Sequence, residues 1–168
     1  KLSVFNLRYA IVYGPSEWYG RVLTIFLKRA LQDLPLVVFG DGKQLRDFIY
    51  VEDVVSMHNH ILESDLSGSH TFNVSTGKAT SINYLASLVV NNINPNIKII
   101  HEKLGEGKFS KYVQDRIRLP AELKIMWLDN SLAMKKLGWN PKTHMNQGIR
   151  EEFNWLKRNY KFWDKYKV

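Results

Sequence analysis

Helical and extended patterns alternate along this chain, and the alternation predicts a mixed α/β fold. Three observations carry that prediction. Residues 3–13 are rich in Val, Ile, Phe and Tyr and stop at Gly14-Pro15, as a strand does. Residues 21–33 set Val22, Leu23, Ile25, Phe26, Leu27, Ala30 and Leu31 at helical spacing ahead of Pro35. Beyond them, short apolar runs of strand length alternate with amphipathic stretches of helix length, without internal repeat or low-complexity segment.

The elements follow in order. Leu36–Phe39 is a short strand between Pro35 and a glycine turn. Asp41-Gly42 is a dipeptide that accepts positive φ, so a tight hairpin turn into a second strand, Leu45–Tyr50, is expected. Asp53 suits the N-cap or first turn of a helix running to about Glu63. Thr71–Ser75 is a strand. Thr80 or Ser81 then caps a helix whose Ile82, Leu85, Ala86, Val89 and Ile93 share one face, and Asn94-Pro95-Asn96 breaks it. Ile97–Ile100 is a further strand, and the aperiodic stretch 102–120 reads as a loop. Ile125–Leu128 is strand-like. Asp129, Asn130 or Ser131 starts a short helix that Gly138 ends. A last helix, about Met145 to Tyr160, places Met145, Ile149, Phe153, Leu156 and Tyr160 at three- and four-residue intervals.

Composition narrows the classes. With 168 residues, 45% hydrophobic and 12% aromatic, the chain supports one core, or a core plus an arm. No apolar run approaches a membrane span, and the opening residues lack a charged n-region followed by an apolar stretch. A cytoplasmic location is expected, and a start at Lys rather than Met points to a fragment or processed product. Zero cysteines exclude disulfides, zinc–thiolate sites and a thiol nucleophile. The net charge of +8 raises nucleic acid as a partner. Bases and aromatics interleave in the tail, 159–168, but elsewhere lysines alternate with acids rather than forming a stripe. The tail reads as a frayed basic terminus, and no nucleic-acid partner is expected. His58 and His60 lie roughly 200° apart on a helix and cannot share a metal. His101, Glu102 and Glu106 have no partner at defined spacing, and no Gly-x-Ser-x-Gly elbow exists. No metal dependence is expected.

The densest signal is Gly40-Asp41-Gly42-Lys43-Gln44-Leu45-Arg46-Asp47-Phe48-Ile49-Tyr50-Val51-Glu52-Asp53. Arg46 sits among apolar residues, so its stem packs and its planar fork is aimed at something specific. A phosphate or carboxylate fits such a fork, at ~1.5–3 kcal/mol per charge-assisted bond. The alternative is an internal ion pair with Asp47 or Asp53.

Leu7-Arg8-Tyr9 and Val12-Tyr13-Gly14-Pro15 lie upstream of this block, Pro35–Gly40 leads into it, and Phe72–Gly77 follows. Near the end stands Leu137-Gly138-Trp139-Asn140-Pro141. In this order and spacing they resemble the C-terminal half of the NAD-dependent sugar-nucleotide epimerase/dehydratase family, the extended short-chain dehydrogenase/reductases, over roughly residues 4–158. The resemblance implies a Rossmann-like α/β enzyme of which this chain is mainly the small substrate-binding domain, without the N-terminal Rossmann half. Residues 1–15 would be a strand of the Rossmann sheet, 16–158 the sugar-nucleotide-binding region, and 159–168 the tail.

The same resemblance implies site residues. Arg46 would hold the pyrophosphate of a UDP-hexose. Val37 to Phe39 would line the uracil through backbone amides and an aromatic edge, with Phe39 either stacking or simply buried. Arg118 and Glu122 would contact ribose and phosphate, with Arg116 a competitor for Arg118. Val22 and Arg21 would rest against the sugar nucleotide, beside Glu17, Trp18 and Tyr19, and Tyr9 would approach the nicotinamide of NAD. The activity implied is 4-epimerisation of the UDP-glucose/UDP-galactose type. A 4,6-dehydratase of the same family, or a non-catalytic nucleotide-binding module, is the alternative.

Two family features are missing from the sequence. Gly40/Gly42 and Gly105/Gly107 are the only close glycine pairs, and neither continues into a glycine-spaced helix. No Tyr is followed four residues later by Lys; Tyr112 with Arg116 comes nearest. The chain alone is therefore expected to be inactive. Where the family reads Arg-Tyr-Phe-Asn, this chain has Arg8-Tyr9-Ala10-Ile11, replacing a phosphate-donating amide by hydrocarbon; Arg21 or Lys43 would compensate. The apolar opening strand, cut off from its sheet, is expected to drive self-association or homodimerisation.

Overall fold

The computed structural model describes residues 2–17, 20–113, 116–118 and 123–160. The chain begins with strands β1 (Val4–Tyr9) and β2 (Ile11–Tyr13), helix α1 (Val22–Leu31) and strand β3 (Leu36–Phe39). Next come β4 (Leu45–Arg46), β5 (Phe48–Tyr50), α2 (Val51–Leu62), β6 (Ser69–Val74) and β7 (Thr80–Ser81). The second half holds α3 (Ile82–Ile93), β8 (Ile99–Glu102), β9 (Ile125–Met126), α4 (Ser131–Leu137) and α5 (Met145–Arg158). The mixed α/β alternation is as the sequence predicts.

Pairing is mostly parallel. β1 pairs with β6, β2 with β5 and β3 with β8, while β4 lies between an antiparallel β7 and a parallel β9. Two apolar cores result. Phe26 and Leu27 of α1, Val38 of β3, Leu85 and Val89 of α3 and Ile149 of α5 close the first. Phe72 and Val74 of β6, Met57 of α2, Ala133 of α4 and Trp139 close the second. Trp139 is fully buried, and its indole N–H donates to the Asp53 carbonyl at 3.2 Å.

Several expectations need correction. The opening strand is two strands, because Ala10 N–H still bonds Val74 O whereas Ile11 N–H turns to Asp47 O. The expected strand Leu45–Tyr50 breaks at the same level: Asp47 N–H bonds Met126 O, and β5 then follows β2. The hairpin does not form. Gly40 and Gly42 take positive φ (74° and 68°) and Asp41 accepts from Lys43 N–H, but the turn feeds two different sheets. The N-cap of α2 is Tyr50, and Asp53 takes the first-turn place, one of the two expected for it. Its buried carboxylate accepts from the N–H groups of Lys142 (2.8 Å) and Thr143 (3.1 Å).

The strand expected at 97–100 lies at 99–102, leaving Ile97 to fill the core, and the one expected at 125–128 keeps only two residues. Within 102–120 the described residues include an internal bridge, Phe109 to Ile117, and Glu102 accepts from Ser110 Oγ (2.6 Å) and Lys111 N–H (2.8 Å). By contrast, Ser81 caps α3 by accepting from Tyr84 N–H, and Gly138 ends α4 in the left-handed region. Among the described residues no helix is long and apolar enough to cross a membrane.

Candidate nucleotide-binding cleft

β3 and β8 run parallel and end side by side, Phe39 beside Glu102, with Gly40 N–H donating to Glu102 O at 2.9 Å. A cleft of about 740 Å³ opens beyond their carboxyl ends, where parallel strands leave a crevice. Gly40, Asp41, His101, Lys103, Leu104 and Arg118 line it. The Arg118 guanidinium passes over Gly40 and donates to Leu104 O at 2.8 Å. Among the described lining residues Lys103 and Arg118 are set against Asp41, which favours an anion. The first turn of α3 braces the floor: Asn83 Oδ1 lies 2.8 Å from His101 Nε2, and Asn83 Nδ2 donates to Asp41 O at 2.8 Å.

The edge of β3 away from β8 bears on ligand binding. Leu36 and Gly40 turn their N–H groups to Lys98 and Glu102, so alternation points those of Val37 and Phe39 the other way. Among the described residues no strand pairs with that edge. Gln44 Nε2 reaches it, donating to Phe39 O at 3.2 Å. The Val37 side chain is buried and that of Phe39 half-buried, so Val37 offers backbone only.

Arg46 lies half-buried on β4, between Thr80 and Met126, and its Nη1 donates to Leu45 O at 2.8 Å. Asp47, next to it, accepts from Thr76 and Gly77, and Asp53 accepts from the N–H groups of Lys142 and Thr143. Val22 is the half-buried first residue of α1, and Arg21 is exposed at its N-cap. Tyr9 is exposed on β1 and lies 3.1 Å from His58 Nε2 through its hydroxyl; His58 Nδ1 faces Val54 O at 2.8 Å. Arg116 is half-buried, and its carbonyl accepts from Ser110 N–H. Trp18, Tyr19 and Glu122 lie outside the described residues. The cleft thus joins Arg118 to the end of β3, while Arg46 is held on the neighbouring sheet.

The sequence reading missed His101 and Lys103 as cleft residues. Their signal is non-local, since it needs β8 placed beside β3. It also missed an acid pair, half-buried Glu17 and buried Glu152, that meets at Thr24. Burial first, and then the charge of Glu17, push the Glu152 carboxyl up to about 8, against hydrogen bonds from Thr24 and Gly14.

Comparison with known proteins now places this arrangement. The family described as GDP-mannose 4,6 dehydratase matches residues 1–152. A UDP-glucuronate 4-epimerase of Thermodesulfobacterium geofontis is 29% identical over 158 residues, 94% of this chain and 44% of the relative. The crystal structure of a UDP-glucose 4-epimerase from Thermotoga maritima, with UDP-glucose, superposes with a TM-score of 0.78 at 28% identity. It is matched over 95% of this chain and 47% of its own. A UDP-glucuronic acid 4-epimerase from Bacillus cereus, in complex with UDP-glucuronic acid and NAD, gives 0.75 at 28%, over 92% and 45%. The chain thus spans about half the length of the relatives it matches. A family match over nine-tenths of the chain, on a fold shared with these epimerases, means that the chain belongs to the GDP-mannose 4,6 dehydratase family of extended short-chain dehydrogenase/reductases.

Proposed function

We propose that this chain is the nucleotide-sugar-binding C-terminal part of an NAD-dependent epimerase acting on a UDP-hexose. The observation that carries the reading is the cationic cleft beyond β3 and β8 together with the amide edge of Val37 and Phe39, which no strand pairs among the described residues. A diphosphate suits Arg118 and Lys103, and a planar base suits a strand edge that offers N–H groups beside the Phe39 ring. Arg46 serves the pyrophosphate from β4, Glu122 the ribose, and Arg21 and Val22 the sugar. Residues 1–15 contribute β1 and β2 to the Rossmann sheet of the whole protein, 16–158 bind the nucleotide sugar, and 159–168 form a basic tail. The open edge of β1 favours self-association.

The cofactor of the whole protein is NAD, as in the Bacillus cereus complex. Among the described residues the close glycine pairs do not make the turn its pyrophosphate needs: Gly40 and Gly42 lead into β4 rather than a helix, and Gly105 and Gly107 lie outside any helix start. Tyr9, exposed on β1, is the residue that would approach its nicotinamide. What this chain contributes is binding and orientation: it fixes pyrophosphate and base so that the sugar is presented in one pose. A nucleotide-sugar 4,6-dehydratase is the second reading, favoured by the description of the matching family.

Calorimetric titration of UDP into the chain tests this function. Binding that weakens in both Arg46→Ala and Arg118→Ala supports it. No binding at millimolar UDP, or binding indifferent to both changes, rejects it.

A further inference from the structure

We infer that Glu17 and Glu152 share one proton through Thr24, and that this proton latches the segment before α1 onto α5. Glu152 of α5 is 1% exposed, Thr24 of α1 is equally buried, and Glu17 is half-buried. The Thr24 hydroxyl contacts Glu17 Oε2 and lies 3.0 Å from Glu152 Oε1. A hydroxyl has one hydrogen and so donates to one of them. The other contact becomes a hydrogen bond only when that carboxyl carries a proton and donates to the Thr24 oxygen. The remaining oxygens, Glu17 Oε1 and Glu152 Oε2, are buried without a hydrogen-bond partner among the described residues. Two carboxylates so placed would desolvate two negative charges around a single donor, whereas a single shared proton relieves this.

Among the described residues no cation bears on the Glu152 carboxyl. Glu152 faces Glu17 from the loop, the Tyr13 phenol from β2, the Thr24 hydroxyl from α1 and the Gly14 N–H. Its neighbour Glu151 turns away to Tyr50 and Gln147. Burial of Glu152 holds its proton into the neutral range, up to about 8. A tight turn fixes the backbone of Glu17, whose N–H donates to Gly14 O at 3.2 Å, so the carboxyl is delivered by a short, anchored segment. Glu152 is thereby a positioning residue for the chain that leads to Arg21 and Val22. Its bearing on ligand binding rests on the function proposed above; the latch itself does not.

The sign follows from linkage. The folded state binds a proton that the unfolded chain releases above the ordinary carboxylate range. Stability therefore falls as pH rises from there to about 8, and is level above it. The test is urea unfolding of the 168-residue chain from about pH 5.5 to about pH 8.5, with 13C NMR titration of its glutamate carboxyls. Expected are a folding constant that falls about tenfold per pH unit, one carboxyl of the pair titrating above 7, and loss of the pH slope in Glu152→Gln. Both carboxyls titrating below 5 would overturn the latch, as would a slope that survives in Glu152→Gln. Should that variant not fold, the titration of the unaltered chain decides alone. A cation in place of the proton would show as a large rise in the unfolding midpoint with millimolar magnesium, which also overturns the proposal.

Discussion

Asp47 holds Thr76 by two bonds, accepting from its hydroxyl at 2.6 Å and its N–H at 3.0 Å, and takes Gly77 N–H at 3.1 Å. The same residue is where β4 gives way to β5, and its carbonyl receives Ile11 N–H, where β1 gives way to β2. One buried carboxylate thus joins the strand exchange to the loop after β6. Removing it strands three donors in a site that is 1% exposed. Asp47→Ala should cost about 3 kcal/mol of unfolding free energy, read by urea denaturation. A loss below about 0.5 kcal/mol would show that water replaces the carboxylate freely.

Gly148 of α5 packs against Tyr13, and a Cβ at this position would run into the Tyr13 hydroxyl and ring edge. The glycine is needed for space rather than for its backbone angles, as it lies within a regular helix. Gly148→Ala should destabilise the chain by about 1–3 kcal/mol through overpacking. The Tyr13→Phe background should return part of that loss by removing the crowded oxygen. The two changes therefore should not add in a double-mutant cycle.

The elements that were legible in the sequence are those whose cause is local. The face formed by Ile82, Leu85, Ala86 and Val89, the Ser81 cap and the left-handed Gly138 each need only a few neighbouring residues. What was illegible depends on contacts across the chain. Nothing near Leu36–Phe39 announces Ile99–Glu102 as its partner, so the turn at Asp41-Gly42 read as a hairpin. The break at Asp47 is set by Ile11 and Met126; Asp53 was legible as a first-turn acid of α2, but its donors at Lys142 and Thr143 were not. Arg118 stands one position off the family's usual spacing, and the cleft it lines exists only once β8 stands beside β3.

Arg46 and Arg118 should respond alike to salt. Both side chains are half-buried, Arg46 on β4 and Arg118 in the cleft, so the contribution of each to UDP binding should shrink only in part as ionic strength rises. Each alanine variant should lose ~1.5–3 kcal/mol of UDP affinity at low salt. Titrations at two ionic strengths check both statements, and a contribution of either arginine that vanishes at high salt would contradict its half-buried placement.

The outer edge of β1 should govern self-association. Val4 N–H bonds Gly68 O and Ala10 N–H bonds Val74 O, so alternation turns the backbone groups of Phe5, Leu7 and Tyr9 away from β6. Among the described residues no strand covers them, and Val4 and Tyr9 are 43% and 45% exposed. Such an edge templates another strand. Light scattering of the chain at tens of micromolar should therefore report oligomers. Tyr9→Pro removes one outward N–H and leaves the bonds from Arg8 and Ala10 to β6 in place, so it should shift the distribution towards monomer. A monodisperse monomer before the substitution, or an unchanged oligomer after it, would assign the association to another surface.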